Sequence, residues 1–333
     1  MQCRAWLKRW RPHSFMKSPA TYFREGCLGS GAATALNASF LRHNKTRRER
    51  VTSASAKITN EVLHRLNRTR LIFLGDSLSL EHFVSTVCFL VGPMPSLMEP
   101  PNFEVRVGDD PDAHYCLTLR RDSWSEATLC FLEWFGKVKH RVRPPWIAEQ
   151  YDADIKNRTL AAMNMMATVG WTKGLMGHVV QTWDLGQRDR VVANLGLMFG
   201  SRPGPLLVQA VSSFLAAYRA LPNESRFTMS WRETAPQHFP TKSGFYSNAS
   251  LMTCTRGAVE DGFNALTNPL VTPLGLDTLR VWRSADLRFQ QHPLEHSPND
   301  CTHYCLPGAV LGNWALAIVR RLLHDGSTLE GDR

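Results

Sequence analysis

Ser77, Asp300 and His303 are the residue types that make up a serine-nucleophile site. Ser77 follows an apolar run and the pair Gly75-Asp76 in LIFLGDSLSLEHF, where a strand pattern changes to an amphipathic helix pattern. A serine at such a turn has an exposed hydroxyl, and the N–H groups of the first helical turn can stabilise an oxyanion. Taken alone the Gly-Asp-Ser sequence is weak evidence, because Asp76 or Ser77 can equally be a plain helix cap.

A serine nucleophile needs a base and a group that orients the base. Asp300 and His303 lie three residues apart in NDCTHYCLPG, just before a predicted helix. On a turn-like backbone the carboxylate can then lie beside the imidazole, fix its tautomer and stabilise the imidazolium. His303 can instead be a structural histidine or a metal ligand, but its spacing from Cys301 and Cys305 is not usual for zinc and no second cysteine pair matches it.

Asn194 follows the strand-like residues RVVA and is a candidate oxyanion donor. Its side-chain amide can add a hydrogen bond beside the N–H of Ser77. Ordinary turn chemistry explains an asparagine after a strand equally well.

Alternating strand and helix patterns place these residues in the chain. The apolar residues after Ser77 recur at helical spacing up to a stop before Gly92-Pro93. The runs HYCLTLR and ATLCFLEWF predict a hairpin in which Cys116 and Cys130 can face each other. The remaining pattern predicts strands from 189, over 226–234 and over 279–287, helices over about 205–220 and 308–324, and a loop-rich segment over 235–276.

This order of strands and helices predicts an α/β fold with a mostly parallel central sheet and helices on both faces. Sites of such sheets lie at the carboxyl ends of the strands. Ser77, Asn194 and Arg232 each follow a predicted strand, so topology alone places them at one edge. We expect an N-terminal extension with little regular structure over 1–70, the catalytic domain over 71–325 and a tail over 326–333.

The composition excludes several classes of protein. At 43% hydrophobic and 20% charged residues, the chain is globular rather than disordered or fibrous. No apolar run reaches the length of a membrane span, and the basic, aromatic start lacks the apolar core of a signal peptide. The protein is therefore either cytosolic or preceded by a leader that this chain lacks.

Cysteines and sequons favour the secretory pathway. The eight cysteines are an even number, although thiols in a chain of this length can all be reduced. Six N-x-S/T sequons exceed chance expectation and fit a glycosylated surface, and they lie at Asn37, Asn44, Asn67, Asn157, Asn223 and Asn248.

The net charge of +10 and the cluster KTRRER raise the possibility of a nucleic-acid partner. The chain has no zinc-finger spacing, RNA-binding signature or basic helix with heptads. An acidic polysaccharide or a solvated face explains the charge equally well, and we expect no nucleic-acid partner.

Four blocks of the chain resemble the trichome-birefringence-like family, part of the PC-esterase group of the SGNH/GDSL superfamily. LIFLGDSLSLEHF and DCTHYCLPG with NWALA resemble its two signature blocks, and WRETAPQHFPTKSGFY is similar to its Arg-x-x-x-Pro-x-His-Phe segment. VVANLGL lies where SGNH proteins place their oxyanion asparagine. The blocks occur in family order over about 70–325, although Tyr304 stands where the family usually has tryptophan.

The resemblance implies a flavodoxin-like, three-layer SGNH fold with several disulfides and a Ser-His-Asp triad. Carried over by position, Ser77 is the nucleophile, His303 the base and Asp300 the orienting residue, while Ser77 and Asn194 form the oxyanion hole. Members of the family lie in the Golgi or elsewhere in the secretory pathway and move acetyl groups onto or off polysaccharide hydroxyls.

The resemblance also assigns Arg232 and His238 to substrate binding or site support, although His238 can equally be a packed structural histidine. By family position it implies two disulfides, Cys254–Cys301 and Cys27–Cys305. No metal and no bound cofactor are expected, but an acetyl donor such as acetyl-CoA is required.

The leading hypothesis is an O-acetyltransferase that acts on polysaccharide or glycan acceptors through an acyl-enzyme. An acetyl-ester hydrolase with the same triad is the alternative, and a non-catalytic glycan-binding protein is a further one. We expect a membrane partner only through an N-terminal anchor that this chain lacks.

Overall fold

The structure is a computed structural model. It describes eleven stretches of the chain, which are 57–91, 114–120, 126–133, 176, 180, 184–197, 204–240, 253–256, 262–292, 300–305 and 308–324.

The described residues form a mixed α/β fold around a six-stranded sheet in the order β2-β3-β1-β4-β5-β6. Every neighbouring pair is parallel except β2 and β3, which form an antiparallel hairpin at one edge. The mostly parallel sheet expected from the sequence is therefore confirmed. The strands are β1 (Arg70–Gly75), β2 (His114–Arg120), β3 (Glu126–Glu133), β4 (Arg190–Ala193), β5 (Thr228–Arg232) and β6 (Asp277–Leu279).

Among the described residues, five α-helices follow or connect the strands: α1 (Ser77–Val91), α2 (Pro205–Arg219), α3 (Gly262–Val271), α4 (Trp282–Asp286) and α5 (Ala309–His324). The predicted helices after Ser77, over 205–220 and over 308–324 are confirmed.

The central strand β1 is buried on both faces, as its continuous apolar run requires in a parallel sheet. Leu71 and Phe73 pack into a hydrophobic cluster with α1 and α5. Ile72 and Leu74 point the other way, into a second cluster with α2 and α3. Because successive strand residues alternate between faces, one short strand joins both cores, consistent with a three-layer sandwich.

Two predicted elements differ from the structure. The strand predicted over 279–287 ends as β6 at Leu279, and the residues that follow form the short helix α4. The segment 235–276, predicted to be loop-rich, contains α3, whose Phe263 and Val271 are buried in the second core. Pro269 lies inside this helix and obscures its pattern in the sequence.

The predicted N-terminal extension over 1–70 is also wrong in its last part. Residues 57–65 are helical, and β1 begins at Arg70. Val62, Leu63 and Leu66 lie at i, i+1 and i+4 and are 0–1% exposed in the first core. This segment is therefore part of the folded domain, while residues 1–56 lie outside the described residues.

Two disulfides lie within the described residues. Cys116 and Cys130 are register partners in the β2–β3 hairpin and are bonded, which confirms that the two face each other. Cys254 and Cys301 are also bonded, as the family resemblance implied. Cys305 is disulfide-bonded too, but the proposed Cys27 lies outside the described residues.

Within the described stretches, no helix is both long and apolar enough to cross a membrane. The same stretches hold no group of side chains arranged to bind a metal ion.

Candidate active site

The turn after β1 divides two tasks between neighbouring residues. The Asp76 carboxylate accepts the N–H of Leu78 at 2.9 Å and that of Ser79 at 3.4 Å, so Asp76 caps α1. A side chain at Gly75 would collide with the Ser79 hydroxyl and the Asn194 carbonyl, which leaves only glycine at that position. Because Asp76 caps the helix, the Ser77 hydroxyl is left for another partner.

That partner is His303. Ser77 Oγ lies 2.8 Å from His303 Nε2, across 226 residues of sequence. His303 Nδ1 donates to Asp300 Oδ2 at 2.8 Å. Asp300 Oδ1 also accepts the backbone N–H groups of Thr302 and His303, so the turn itself fixes the carboxylate. The structure thus brings the predicted nucleophile, base and orienting residue together in hydrogen-bonding order.

The electrostatics of the pair favour an ionised Asp300 and a basic His303. Burial opposes the charge on both, but the hydrogen bonds and opposite charges of the pair outweigh it. The pKa of Asp300 falls to about 2. The pKa of His303 rises to about 9, with contributions from Asp300, Glu81 and Asp76. Asp300 can therefore stabilise a positive charge on the His303 ring.

The triad is set into the surface but can be reached. The side chains of His303 and Asp300 are 18% and 16% exposed. The Ser77 N–H belongs to the first turn of α1, where an α-helix has no internal acceptors for its N–H groups. An oxyanion formed at Ser77 can be stabilised there.

Asn194 does not fit the role of an oxyanion donor in this structure. Its amide nitrogen donates both hydrogens within the protein, to the Arg232 carbonyl at 2.8 Å and the Thr234 hydroxyl at 3.0 Å. Its oxygen accepts the Gly196 N–H, and the residue is 1% exposed. Asn194 instead ties the ends of β4 and β5 together, so the oxyanion prediction is corrected to a structural role.

Arg232 lies behind the nucleophile turn rather than in contact with solvent. It is 1% exposed, and its Nη2 donates to the Ser79 hydroxyl at 3.0 Å. The same atom lies 3.8 Å from the Asp76 carboxylate, and the guanidinium stacks 5.0 Å from the Trp314 ring. Of the two predicted roles, site support fits this position and direct substrate binding does not.

His238 is likewise buried, at 0% exposure. Its Nδ1 lies 2.7 Å from His292 Nε2, and its ring packs against Tyr304 and His292. A bound acceptor cannot touch this side chain in this structure. His238 therefore also supports the site from behind.

The loop that carries Asp300 and His303 is held against the segment after β5. Cys301 makes two of these contacts. It forms the disulfide with Cys254, and its carbonyl oxygen accepts the His238 N–H at 2.9 Å. Gln237 donates to the Thr302 hydroxyl, and the Tyr304 hydroxyl donates to the Pro236 carbonyl at 2.9 Å. These bonds explain why the predicted Arg-x-x-x-Pro-x-His-Phe block lies close to the triad.

Sequence reasoning missed three buried polar residues near the site, Glu81, Asn264 and His292. Glu81 falls one turn after Ser77 in the helix pattern, where a carboxylate on an otherwise apolar face was the available signal. Asn264 bonds both the N–H and the carbonyl of Thr234 but lies in the segment predicted to be loop. His292 had no signal, because it stands in a stretch without periodicity.

The chain matches no protein-family model and no curated protein sequence. The functional argument therefore depends on the site's geometry and on the resemblance of its sequence blocks.

Proposed function

We propose that this protein is an SGNH-type O-acetyltransferase of the PC-esterase group, which moves an acetyl group onto polysaccharide or glycan hydroxyls through an acyl-enzyme on Ser77. One observation supports the proposal above the others: His303 bridges Ser77 and Asp300 with two contacts of 2.8 Å. A buried structural histidine does not need a serine hydroxyl at a helix start on one side and an ionised carboxylate on the other.

The first half-reaction forms the acyl-enzyme. Neutral His303 takes the Ser77 proton as Oγ attacks the acetyl carbonyl, and the Ser77 N–H at the start of α1 stabilises the oxyanion. The bond to the donor's leaving group then breaks, and the imidazolium returns the proton to that group. Asp300 keeps the Nδ1–H tautomer throughout, so that Nε2 faces Ser77.

The second half-reaction uses the same groups. A sugar hydroxyl gives its proton to His303 Nε2 and attacks the acyl carbon. The Ser77 ester bond breaks, Oγ recovers the proton, and the acetylated sugar leaves. The donor is a substrate and not a resident cofactor.

An acetyl-ester hydrolase is the second candidate. The partial exposure of His303 and Asp300 favours it, because water can reach both side chains. Water then replaces the sugar in the second half-reaction, with the same proton transfers.

The proposal includes a place in the Golgi or another secretory compartment. The Cys116–Cys130 and Cys254–Cys301 disulfides support it, because such bonds persist in oxidising compartments. The exposed sequon at Asn223 also fits this location.

The test separates transfer from hydrolysis. Purified protein from a secretory host is incubated with isotope-labelled acetyl-CoA or 4-nitrophenyl acetate, with and without xylan and related oligosaccharides, and products are analysed by mass spectrometry. Labelled oligosaccharide from wild type but not from Ser77→Ala supports the transferase, and labelled acetate alone supports the hydrolase. Glycan binding by both proteins with no turnover would reject both enzymes in favour of a binding protein.

A further inference from the structure

The peptide group that follows the triad histidine is held at both ends by buried side chains. His292 Nδ1 lies 2.5 Å from the His303 carbonyl oxygen. On the other side of the same peptide bond, Glu81 Oε2 accepts the Tyr304 N–H at 3.2 Å. His292 and Glu81 are 5% and 4% exposed, so water does not compete freely for either bond.

The two ends are supplied by different parts of the fold. Glu81 lies on α1, one turn after Ser77, while His292 lies in the segment after α4. The peptide group is therefore fixed relative to the helix that carries the nucleophile.

The hydrogen bonds also define the tautomers of two histidines. A carbonyl oxygen only accepts, so His292 Nδ1 carries a hydrogen. Burial and the neighbouring His238 lower the pKa of His292 to about 3, so its Nε2 is a bare acceptor at neutral pH. His238 Nδ1 donates to that atom at 2.7 Å. His238 thus holds His292 in the tautomer that can donate to the His303 carbonyl.

We propose that His292 and Glu81 are positioning residues that clamp the His303–Tyr304 peptide group, with His238 fixing the donor tautomer of His292. This inference rests on the proposed function, because it concerns the base of that reaction.

The clamp complements what Asp300 does. Asp300 fixes the N–H side of His303 and its ring nitrogen Nδ1, but it does not touch the carbonyl side. Rotation of the following peptide group would swing the ring about that anchor and move Nε2 away from Ser77. Displacements of about 1 Å at a reacting atom lower rates by about 100-fold, so a small rotation has a large effect.

The test compares variants that keep the bonds with variants that lose them. His292→Asn keeps an N–H donor near the Nδ1 position, and Glu81→Gln keeps a carbonyl acceptor. His292→Phe and Glu81→Leu remove the two groups. His82→Phe is the matched control, because His82 is another buried histidine whose ring bonds a carbonyl, but that of Trp314 and not that of His303.

The measurement is the rate of Ser77 acylation by 4-nitrophenyl acetate, divided by active sites titrated with a fluorophosphonate. We expect His292→Phe and Glu81→Leu to lose about 10- to 100-fold in the maximal acylation rate per titrated site, with the half-saturating concentration of 4-nitrophenyl acetate little changed. His292→Asn and Glu81→Gln should recover most of the rate. The control should lose thermal stability but keep its rate per site.

Equal loss in the control, or wild-type rates per site in both apolar variants, would overturn the clamp. A wild type without acylation would instead reject the proposed function. The tautomer claim is tested separately, and without any variant, by long-range ¹H–¹⁵N NMR of the histidine rings. Protonated Nδ1 and bare Nε2 at His292 in the wild type support the clamp whatever the activity, and the opposite tautomer would contradict it.

Discussion

At the residue scale, the site depends on how neighbouring side chains share their bonds. Asp76 caps α1 and so leaves Ser77 to face His303, although the sequence allowed either residue to be the cap. Asn194 has the right type and position for an oxyanion donor, but its amide hydrogens go to the Arg232 carbonyl at the end of β5 and to the Thr234 hydroxyl just after it. Residue type and spacing indicated the triad, because a serine nucleophile, its base and the orienting carboxylate are recognisable residue types and Asp300 and His303 lie three residues apart. They could not indicate where the Asn194 hydrogens go, because the acceptors lie 38 and 40 residues away in sequence.

The pH dependence of acylation should follow His303. The base must be neutral, and its pKa is raised to about 9, so the acylation rate should fall as the pH falls through that value. In Asp300→Asn the bonded carboxylate is gone, so the pKa of His303 drops. The pH below which the acylation rate falls should therefore move to a lower value. The plateau rate should also fall, by roughly 100- to 10,000-fold, because the tautomer is no longer fixed. Pre-steady-state acylation rates between pH 5 and 10 give both the apparent pKa and the plateau rate. The same apparent pKa in the wild type and in Asp300→Asn would mean that a group other than His303 titrates.

Glu81 should make stability depend on pH. Burial raises its pKa from 4.5 to about 8, so between these values the folded protein binds a proton that the unfolded chain has released. Stability is therefore lost as the pH rises through this window, by at most roughly 1.4 kcal/mol per pH unit. Glu81→Gln has no such proton, so its free energy of unfolding relative to wild type should increase from pH 5 to pH 8. Urea titrations at both pH values test this, and a constant difference would contradict it.

At the scale of elements, three parallel strands bring the site together. β1, β4 and β5 are neighbours in the sheet, so their carboxyl ends place Ser77, Asn194 and Arg232 at one edge, as topology predicted. The loop with Asp300 and His303 reaches that edge only through long-range bonds, above all the Cys254–Cys301 disulfide. The mostly parallel sheet and the shared edge follow from general rules, whereas the bonds that attach this loop depend on partners far away in sequence.

The two disulfides should have different effects on activity. Chain-entropy estimates give roughly 3 kcal/mol for the 14-residue separation of Cys116–Cys130 and roughly 4 kcal/mol for the 47-residue separation of Cys254–Cys301. Paired Cys→Ser variants should therefore lose similar stability. Of the two, loss of Cys254–Cys301 should lower the acylation rate per titrated site and loss of Cys116–Cys130 should not, because the first bond anchors the triad loop and the second lies in the edge hairpin. An equal fall in rate for the hairpin pair would show that the effect is global.

Helix α3 shows why some elements escaped prediction. The buried residues of this helix are Phe263, Asn264, Thr267 and Val271. Asn264 and Thr267 are polar, and Pro269 lies within the helix, so the sequence does not show an apolar helical pattern. Asn264 is buried because it bonds the backbone of Thr234 at the end of β5. Such a partner exists only in the folded chain, so periodicity alone could not find it.

At the scale of the whole molecule, two hydrophobic cores enclose one sheet, and the site lies where the strands end. Segment 57–65 adds to the first core, which is why the folded domain begins before the first strand. The bulk composition predicted a globular chain and the order of strand and helix patterns predicted an α/β fold, and the described residues agree with both.

The exposed sequon offers a test of the secretory location. Asn223 begins a short turn of 3₁₀-helix after α2 and has no buried neighbours in that turn, so an oligosaccharide fits there without disturbing either core. Protein made in a secretory host should carry a glycan at Asn223, and Asn223→Gln should lose one glycosidase-sensitive form while keeping its melting temperature. Peptide mapping that finds Asn223 unmodified in secreted protein would count against this location.

The central claim is that Ser77 is a nucleophile activated by His303. It is tested most directly by intact-mass measurement after incubation with a serine-directed fluorophosphonate, on wild type, Ser77→Ala and His303→Ala from a secretory host. We predict one adduct on the wild type, mapped to Ser77, and none on either variant. A folded, disulfide-bonded wild type that gains no adduct would contradict the account, and the hydrogen bonds between Ser77, His303 and Asp300 would then have only a structural role.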